Sequence, residues 1–246
     1  MGHIYGIMLG MKSSIVVVIP AYEPENALLT LANELRTKFE HIVVVDDGST
    51  RAGSVFSAVA ALEGVALLVH PVNRGKGAAL KTAFAEVIRR FPDAAGVVTV
   101  DADGQHLPED VASVAASTVA NPDRITLGVR SFDGDVPFRS RLGNTWTRWF
   151  FFLLTGVMIH DTQTGLRGIP AKFLRALCDM PGDRYEYEAR MLVAAARMKQ
   201  KPLQIGIKTV YIEDNRSSHF NPVKDSLRIQ ATLFAARLSC KKELAR

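Results

Sequence analysis

The stretch Val43-Val44-Val45-Asp46-Asp47-Gly48-Ser49-Thr50 joins a short apolar run to two carboxylates and a glycine. A continuous run of valines is typical of a parallel strand that helices cover on both faces. The glycine and hydroxyl residues are typical of a turn into a helix, where Ser49 or Thr50 could cap the first turn. The stretch therefore predicts a strand, a turn and a helix, with acidic side chains at the carboxyl end of the strand.

The same order of apolar run and helical pattern repeats along the first 90 residues. Apolar runs at residues 15–19 and 65–69 are each followed by a segment with helical periodicity. In the last of these segments, residues 77–90, apolar side chains recur along one helix face. Such units predict an α/β fold with a mostly parallel sheet flanked by helices. Ligands of these sheets bind outside the carboxyl ends of the strands.

Composition narrows the class of protein. The chain has 246 residues, 48% of them hydrophobic, which is enough for one sizeable core. Cys178 and Cys240 lack the spacing of a zinc site or a disulfide framework, which favours a reducing cytoplasm. The net charge of +5 suits phosphorylated substrates, an anionic membrane surface or nucleic acid equally. Because the longest apolar stretch, residues 149–159, is shorter than the roughly 20 residues that span a bilayer, we expect no transmembrane helix.

Another apolar run, residues 97–100, leads directly into Asp101-Ala102-Asp103-Gly104-Gln105-His106. Two carboxylates and an amide oxygen thus follow a predicted buried strand. Mg²⁺ takes oxygen ligands and commonly needs one or two carboxylates besides the phosphates of its substrate. The stretch predicts a metal site for a diphosphate, although a D-x-D triplet alone is equally typical of a solvated acidic turn.

Asn73-Arg74-Gly75-Lys76-Gly77 opens the predicted helix at residues 77–90. Its glycines permit close approach of the backbone, its amides face an anion, and Lys76 adds positive charge. The motif predicts a phosphate-binding loop, and the alternative is a plain glycine turn.

Other nucleotide-binding patterns are absent from the sequence. The loop after the first predicted strand reads Pro20-Ala21-Tyr22-Glu23-Pro24, which is not the G-x-G-x-x-G of nicotinamide enzymes. A Walker sequence is absent as well, and the loop lacks the glycine-rich, basic character expected of a nucleotidyltransferase.

Four motifs in order resemble family-two glycosyltransferases of the GT-A fold: P-A-Y-E at 20–23, V-V-D-D-G-S-T at 44–50, N-R-G-K-G-A-A at 73–79 and D-A-D-G-Q-H at 101–106. The resemblance covers about residues 15–225 and is greatest to the dolichol- and polyprenol-phosphate sugar synthases. It implies inverting transfer of a hexose from a UDP- or GDP-sugar to a polyprenyl phosphate, with Mg²⁺ or Mn²⁺ on the diphosphate. Gly104 and Leu107 depart from that branch, where a longer apolar residue and proline are common.

The resemblance also implies two sets of ligand-binding residues. The nucleotide-sugar would be bound by residues of the four motifs: Pro20, Ala21, Tyr22, Glu23, Asp46, Asp47, Gly48, Lys76, Gly77, Asp101, Ala102 and Asp103. The metal ion would be bound by oxygen donors of the last motif: Asp101, Asp103 and Gln105. Because a departing nucleoside diphosphate gains negative charge, a metal ion at this place would stabilise the leaving group.

Arg130, Arg139 and Arg141 follow a strand-like run at residues 125–129. Guanidinium groups match the oxygens of phosphate, so the cluster predicts an anionic acceptor. The resemblance places the acceptor phosphate in this region, and Arg130 and Arg141 are the preferred pair to bind it. For Arg139 the alternative is a solvated side chain. A phosphate oxyanion needs no strong general base to act as the nucleophile.

Asp161 opens Asp161-Thr162-Gln163-Thr164-Gly165-Leu166-Arg167-Gly168, which resembles the D-T-x-x-G-x-R segment of the same branch. Its carboxylate is either a catalytic base or orienting group, or a cap for the turn that follows. In Tyr185-Glu186-Tyr187-Glu188, either glutamate could orient an arginine or simply favour the helix dipole.

Two segments are candidates for contact with a membrane surface. Residues 146–159, rich in Trp, Phe and Leu, could form an interfacial helix or a buried one. Residues 222–246 carry an apolar stripe flanked by lysines and arginines, which predicts a basic amphipathic helix on a membrane, on its own domain or on a partner subunit. We therefore expect a GT-A domain over residues 1–221, with a mobile loop around His219, and a basic appendage over residues 222–246.

The leading hypothesis is a metal-dependent glycosyltransferase that is peripheral to the cytoplasmic face of the membrane. Its partners would be a nucleotide-sugar and a polyprenyl phosphate, and not nucleic acid. One alternative is transfer to a soluble or glycan acceptor in cell-envelope polysaccharide synthesis, for which Asp161 would be an obligatory general base. Another is a non-catalytic nucleotide-sugar sensor, which the acids Asp101, Asp103 and Asp161 disfavour.

Overall fold

The structure is a computed structural model of the chain, and it describes residues 14–130, 138–198 and 201–208, without the side chains of residues 138–146 and 185. In chain order its elements are β1 (Ile15–Ala21), α1 (Ala27–Leu35), β2 (His41–Asp46), α2 (Gly53–Ala60), β3 (Val65–Val69), α3 (Lys76–Arg90), β4 (Gly96–Thr99), α4 (Pro108–Ala120), β5 (Thr126–Arg130), α5 (Phe138–Thr155), β6 (Arg167–Pro170), α6 (Ala171–Cys178), α7 (Tyr185–Arg197) and β7 (Leu203–Ile207). Strands and helices alternate along most of this length, as the sequence predicts.

The seven strands form one sheet in the order β3-β2-β1-β4-β6-β5-β7. All neighbouring strands are parallel except β6, which runs antiparallel to both β4 and β5. In this register Thr99 of β4 lies opposite Arg167 of β6. The start of β6 therefore meets the carboxyl ends of β4 and β5 at one edge of the sheet. This reversal brings the segment before β6, which contains Asp161, to the same edge as Asp101 and Arg130.

Both faces of the sheet are covered by apolar side chains. Along β1, Val16 and Val18 point into one core layer with residues of α3, α6 and α7. Ile15, Val17 and Ile19 point into the opposite layer with residues of α1, α2 and α4. All five side chains have no exposed surface. The α/β fold with a mostly parallel, doubly covered sheet is therefore confirmed.

The start of α2 corrects one prediction. The helix begins at Gly53 after Ala52, and no side chain caps it. Ser49 and Thr50, the predicted caps, instead hydrogen-bond to Glu23 in the loop after β1. A tertiary partner has therefore replaced the local capping bond that the sequence pattern favoured.

The helical part of residues 146–159 is buried on one side, and its contact with a membrane stays a prediction. Within α5, Phe151 has no exposed surface, whereas Trp149 is 50% and Leu153 is 75% exposed. Among the described residues, no helix is long and apolar enough to cross a membrane. The predicted helix at 222–246, the loop around His219 and the boundary at residue 221 lie outside the described residues.

Candidate active site

Glu23 joins the loop after β1 to the loop after β2. Its carboxylate accepts hydrogen bonds from the backbone N–H of Thr50 (2.8 Å), the Thr50 hydroxyl (2.9 Å) and the N–H of Arg51 (3.1 Å). Its own N–H donates to Ser49 Oγ at 2.8 Å. The bond from the Thr50 backbone is the main cause that lowers the pKa of Glu23 below its ordinary value. Glu23 thus fixes the two loops relative to each other, and its contact with a nucleotide stays a prediction.

The other residues of the first loop lie at the end of β1. Pro20 and Ala21 are buried within the strand, and Tyr22, the residue that follows, is 55% exposed. Positive φ is uncommon for residues other than glycine, and Glu23 has φ of 46°. The sharp turn at Glu23 leaves the Tyr22 ring in solvent at the carboxyl edge of the sheet, where a nucleobase could stack on it.

Asp46 and Asp47 are both buried at the end of β2. Asp46 Oδ1 accepts a hydrogen bond from the N–H of Ser49 at 2.8 Å. The Asp47 carboxylate accepts bonds from the N–H groups of Arg74 (3.0 Å) and Gly75 (2.7 Å), and its Oδ1 lies 2.7 Å from His70 Nδ1. Asp47 therefore supports the loop before α3 from inside the protein, and the nucleotide contact predicted for it stays a prediction.

Gly48 and Gly77 permit close packing of the predicted binding loops. Gly48 has φ of +77°, and a Cβ there would overlap the backbone of Val72. A Cβ at Gly77 would overlap the side chain of Tyr187 in α7. Both positions therefore require glycine for reasons of geometry.

Asp101 is held by two basic side chains. Lys76 Nζ lies 2.7 Å from Asp101 Oδ1, and His106 Nε2 lies 3.8 Å from Oδ2. Burial by itself would raise the pKa of Asp101, but the charge of Lys76, with a smaller effect of the nearby His106, outweighs burial and holds that pKa far below its ordinary value. Burial would lower the pKa of Lys76, but Asp101 and Glu188 raise it. Both groups are therefore charged at neutral pH.

Asp103 is exposed at the turn after β4. Its Oδ1 accepts a hydrogen bond from the N–H of Gln105 at 3.0 Å. Partial burial of its carboxyl is the main cause that raises the pKa of Asp103, and the charge of Asp101 adds to it. Ala102 lies between the two acids and is half-buried.

The donor set of this turn suits a divalent cation that binds together with a phosphate ligand. In the described part of the chain, no three His, Cys, Asp or Glu side chains converge on a metal site of their own. Mg²⁺ needs only one or two carboxylates when substrate phosphates complete its shell. Asp101 and Asp103 supply carboxylates, and His106 Nδ1 is buried without a hydrogen-bond partner among the described residues. The residues present therefore fit a metal ion held jointly with a diphosphate.

Arg130 and Asp161 form a bidentate ion pair. Arg130 Nε lies 2.6 Å from Asp161 Oδ2, and its Nη2 lies 3.2 Å from Oδ1. Asp161 has no exposed surface, and its Oδ1 also accepts a bond from the N–H of Gln163 at 3.1 Å. The carboxylate thus orients the guanidinium and caps the turn, which combines the two non-catalytic roles considered for it.

A single cleft joins the acidic turn to this ion pair. It encloses about 30 Å³ of free space. Its lining comes from three segments: Asp101, Gln105, His106, Arg130, Gln163, Thr164 and Gly165. Asp101 and Arg130, predicted for the donor and the acceptor respectively, therefore face the same space. Arg139 and Arg141 lie in the first turn of α5, whose side chains are outside the described residues.

Glu188 and Arg167 extend the charged network around Lys76, although neither was among the site residues that the sequence predicted. Glu188 Oε2 lies 3.1 Å from Lys76 Nζ, and its Oε1 lies 3.8 Å from Arg167 Nη2. Arg167 is buried and also donates to the carbonyl oxygens of Thr164 (2.9 Å) and Glu188 (3.0 Å). Glu188 therefore contacts an arginine, as one alternative proposed. Glu186 instead accepts bonds from the N–H groups before α7.

Gly165 offers a direct test of how Asp101 is positioned. A Cβ at Gly165 would overlap the Asp101 carboxylate, so we expect Gly165→Ala to displace that carboxylate and lower the sugar transfer that the sequence resemblance implies by about 100-fold, the effect of misplacing a catalytic group by about 1 Å. Transfer rate and thermal unfolding measure the effect. Gly53→Ala is the matched control, because a Cβ at Gly53 has open space around it. Equal activity of the two variants would contradict the contact.

Residues 16–171 match the Glycosyl transferase family 2 model. The chain is 33% identical over 218 residues to an uncharacterized protein of Methanocaldococcus jannaschii, covering 86% of this chain and 88% of the relative. It is 29% identical over 221 residues to the UDP-N-acetylglucosamine–dolichyl-phosphate N-acetylglucosaminyltransferase of Methanococcus voltae, covering 81% and 86%. It is also 29% identical over 175 residues to the polyprenol monophosphomannose synthase of Mycolicibacterium smegmatis, covering 66% and 63%.

Among solved structures, glucosyl-3-phosphoglycerate synthase from Mycobacterium tuberculosis, in complex with Mn²⁺, UDP-glucose and phosphoglyceric acid, has a similar fold. The TM-score is 0.67 at 16% identity, over 94% of this chain and 83% of that one. At this identity the likeness concerns the fold, which is GT-A. Because the family model matches more than half of the chain, the protein belongs to glycosyl transferase family 2. It is a glycosyltransferase of the GT-A fold.

Proposed function

We propose that the protein transfers a hexose from a UDP- or GDP-sugar to a polyprenyl phosphate, with inversion and with the help of Mg²⁺ or Mn²⁺. The observation that carries this proposal is the shared cleft, in which Asp101 of the acidic turn and Arg130 of the ion pair line the same space. The residues proposed for the donor diphosphate and those proposed for the anionic acceptor therefore adjoin at this cleft. Two relatives named for sugar transfer to dolichyl phosphate or polyprenol support the lipid acceptor.

The donor side of the proposal uses the loops at the carboxyl edge of the sheet. The exposed Tyr22 ring would stack on the base, Asp46 would contact the ribose, and Lys76 at the start of α3 would add positive charge near the diphosphate. Asp103, with Asp101 and Gln105, would hold the metal ion. When bound, the metal ion neutralises the charge that develops on the departing nucleoside diphosphate.

The acceptor side favours a phosphate over a hydroxyl nucleophile. A hydroxyl acceptor would need a general base, and Asp161 is the candidate that the sequence offered for it. Both Asp161 oxygens are engaged by Arg130 and Gln163, and the residue has no exposed surface. A phosphate arrives as an oxyanion and needs no proton removed, while Arg130 can donate to its oxygens. This arrangement supports a single displacement, which inverts the anomeric centre.

Transfer to a polyprenyl phosphate would place the protein at a membrane surface. Trp149 and Leu153 on α5 are exposed apolar side chains that suit a peripheral contact with lipid. We propose that the protein works as a peripheral enzyme at the cytoplasmic face, where nucleotide-sugars are available.

The test is product formation with defined acceptors. The protein is incubated with Mn²⁺ or Mg²⁺, a panel of UDP- and GDP-sugars, and a short-chain polyprenyl phosphate, and the lipid fraction is analysed for glycolipid. We expect product only when metal, one donor and the lipid phosphate are all present. Matched reactions contain the corresponding polyprenol without phosphate, or a soluble sugar acceptor. Product with either of these, and none with the lipid phosphate, would overturn the proposed acceptor.

A further inference from the structure

Lys76 lies between two carboxylates that the chain brings together from distant segments. Its Nζ is 2.7 Å from Asp101 Oδ1 and 3.1 Å from Glu188 Oε2. Asp101 belongs to the acidic turn, whereas Glu188 lies on α7 and forms no part of that turn. One ammonium group is therefore shared between a predicted metal ligand and a carboxylate outside the metal site.

Glu188 is itself held in place from its other side. Arg167 Nη2 lies 3.8 Å from Glu188 Oε1, and Arg167 Nη1 donates to the Glu188 carbonyl oxygen at 3.0 Å. Arg167 is 2% exposed and further fixed by its bond to Thr164. A positive and a negative charge thus alternate from Arg167 through Glu188 and Lys76 to Asp101. Glu188 can therefore hold the Lys76 ammonium even when Asp101 does not contact that ammonium.

From this geometry we infer that Lys76 competes with the metal ion for Asp101, and that Glu188 is the positioning residue that retains Lys76 when Asp101 turns to the metal. A lysine ammonium and a divalent cation both need the Asp101 oxygens, and two cations at that distance repel each other. The donor diphosphate adds negative charge that attracts both cations at once. The metal ion therefore binds tightly only together with the nucleotide.

This inference rests on the proposed metal site but not on the lipid acceptor. It predicts that Lys76 and Glu188 control the affinity for the metal ion in the absence of donor. That affinity can be measured without any sugar transfer. Failure of glycolipid formation and failure of this inference are therefore separate results.

The test is Mn²⁺ binding to the full chain, followed by the loss of the electron paramagnetic resonance signal of free Mn²⁺. Titrations are run without nucleotide and with saturating UDP or GDP. For the unaltered protein we expect nucleotide to tighten Mn²⁺ binding. For Lys76→Met without nucleotide we expect binding about 10-fold tighter or more, because removing a unit charge a few ångströms from the site removes a repulsion of that order. A gain of affinity is not a result that damage to the fold produces.

Glu188→Gln is expected to act in the opposite direction. Without the Glu188 charge, Asp101 is the remaining carboxylate partner of Lys76, and the ammonium stays closer to Asp101. Mn²⁺ binding without nucleotide should therefore weaken about threefold or more. Lys81→Met and Glu186→Gln are the matched controls, since Lys81 lies on the same helix as Lys76 but pairs with Asp183, and Glu186 caps the start of α7. Both controls should bind Mn²⁺ like the unaltered protein. Equal or weaker nucleotide-free binding by Lys76→Met, or no Mn²⁺ binding by any protein with either nucleotide, would overturn the inference.

Discussion

Replacement of Asp103 by alanine is expected to lower metal-dependent sugar transfer by about 1,000-fold or more, because a metal ion that stabilises a leaving group contributes several kcal/mol to catalysis. Asp103 is exposed, and within the described residues its carboxylate accepts a hydrogen bond from the N–H of Gln105, two residues on. The fold should therefore stay intact. Initial rates at saturating Mn²⁺ and thermal unfolding of the same preparation measure the two effects.

Asp93→Ala is the matched control for this prediction. Asp93 is also an exposed aspartate, and it precedes β4, whereas Asp103 follows that strand. It therefore lies at the opposite edge of the sheet from the cleft, and its loss should leave the rate unchanged. If Asp103→Ala transfers sugar at the full rate with the same dependence on Mn²⁺, the metal ion is held by other groups.

The fold was predictable because its signals are local. The runs at β1, β2 and β3 are continuous and apolar. As the pattern indicates, β1 and β2 are buried on both faces, and β3, the outermost strand on that side of the sheet, is partly buried. The helical periodicity of residues 77–90 matches α3, which begins one residue earlier at Lys76. Each of these features depends on neighbours within a few residues. One sequence is sufficient to identify them.

The parts that sequence reasoning missed depend on contacts between distant segments. The capping roles predicted for Ser49 and Thr50 were wrong because Glu23, on another loop, binds their side chains. The occupied carboxylate of Asp47 depends on its contact with His70 and with the loop before α3. No local pattern distinguishes an aspartate that faces a ligand from one that faces the next loop.

The antiparallel strand β6 helps to explain why Arg167 and Glu188 were missing from the predicted site. Its reversal between β4 and β5 places Arg167 opposite Thr99, and from there the buried guanidinium reaches Glu188 on α7. The motifs that contain Arg167 and Glu188 were visible in the sequence, and an arginine partner for a glutamate was one of the alternatives considered. The contact of Glu188 with both Arg167 and Lys76 depends on how α7 packs against β6 and α3, which the sequence pattern does not specify.

Replacement of Arg130 by glutamine is expected to reduce kcat/KM for the polyprenyl phosphate by about 100- to 1,000-fold, while the dissociation constant for UDP or GDP changes little. The guanidinium that donates to the acceptor phosphate in the proposed function is lost, and each hydrogen bond to a charged group is worth about 1.5–3 kcal/mol. The loss also leaves the buried Asp161 carboxylate without its partner, which repels an incoming phosphate and destabilises the fold. Steady-state kinetics with varied acceptor, and nucleotide titration without acceptor, separate the two substrates.

The double variant Arg130→Gln/Asp161→Asn tests whether Arg130→Gln loses activity because the acceptor is no longer recognised or because the buried Asp161 carboxylate has lost its partner. Because it removes both members of the ion pair, it should recover much of the thermal stability that Arg130→Gln loses, since no uncompensated carboxylate remains. It should not recover acceptor kcat/KM, because the guanidinium that donates to phosphate is still absent. Arg124→Gln is the matched control, since Arg124 precedes the same strand, β5, and donates to the Lys201 carbonyl oxygen away from the cleft. An equal loss of nucleotide and acceptor binding in Arg130→Gln, or full recovery of transfer in the double variant, would assign Arg130 a purely structural role.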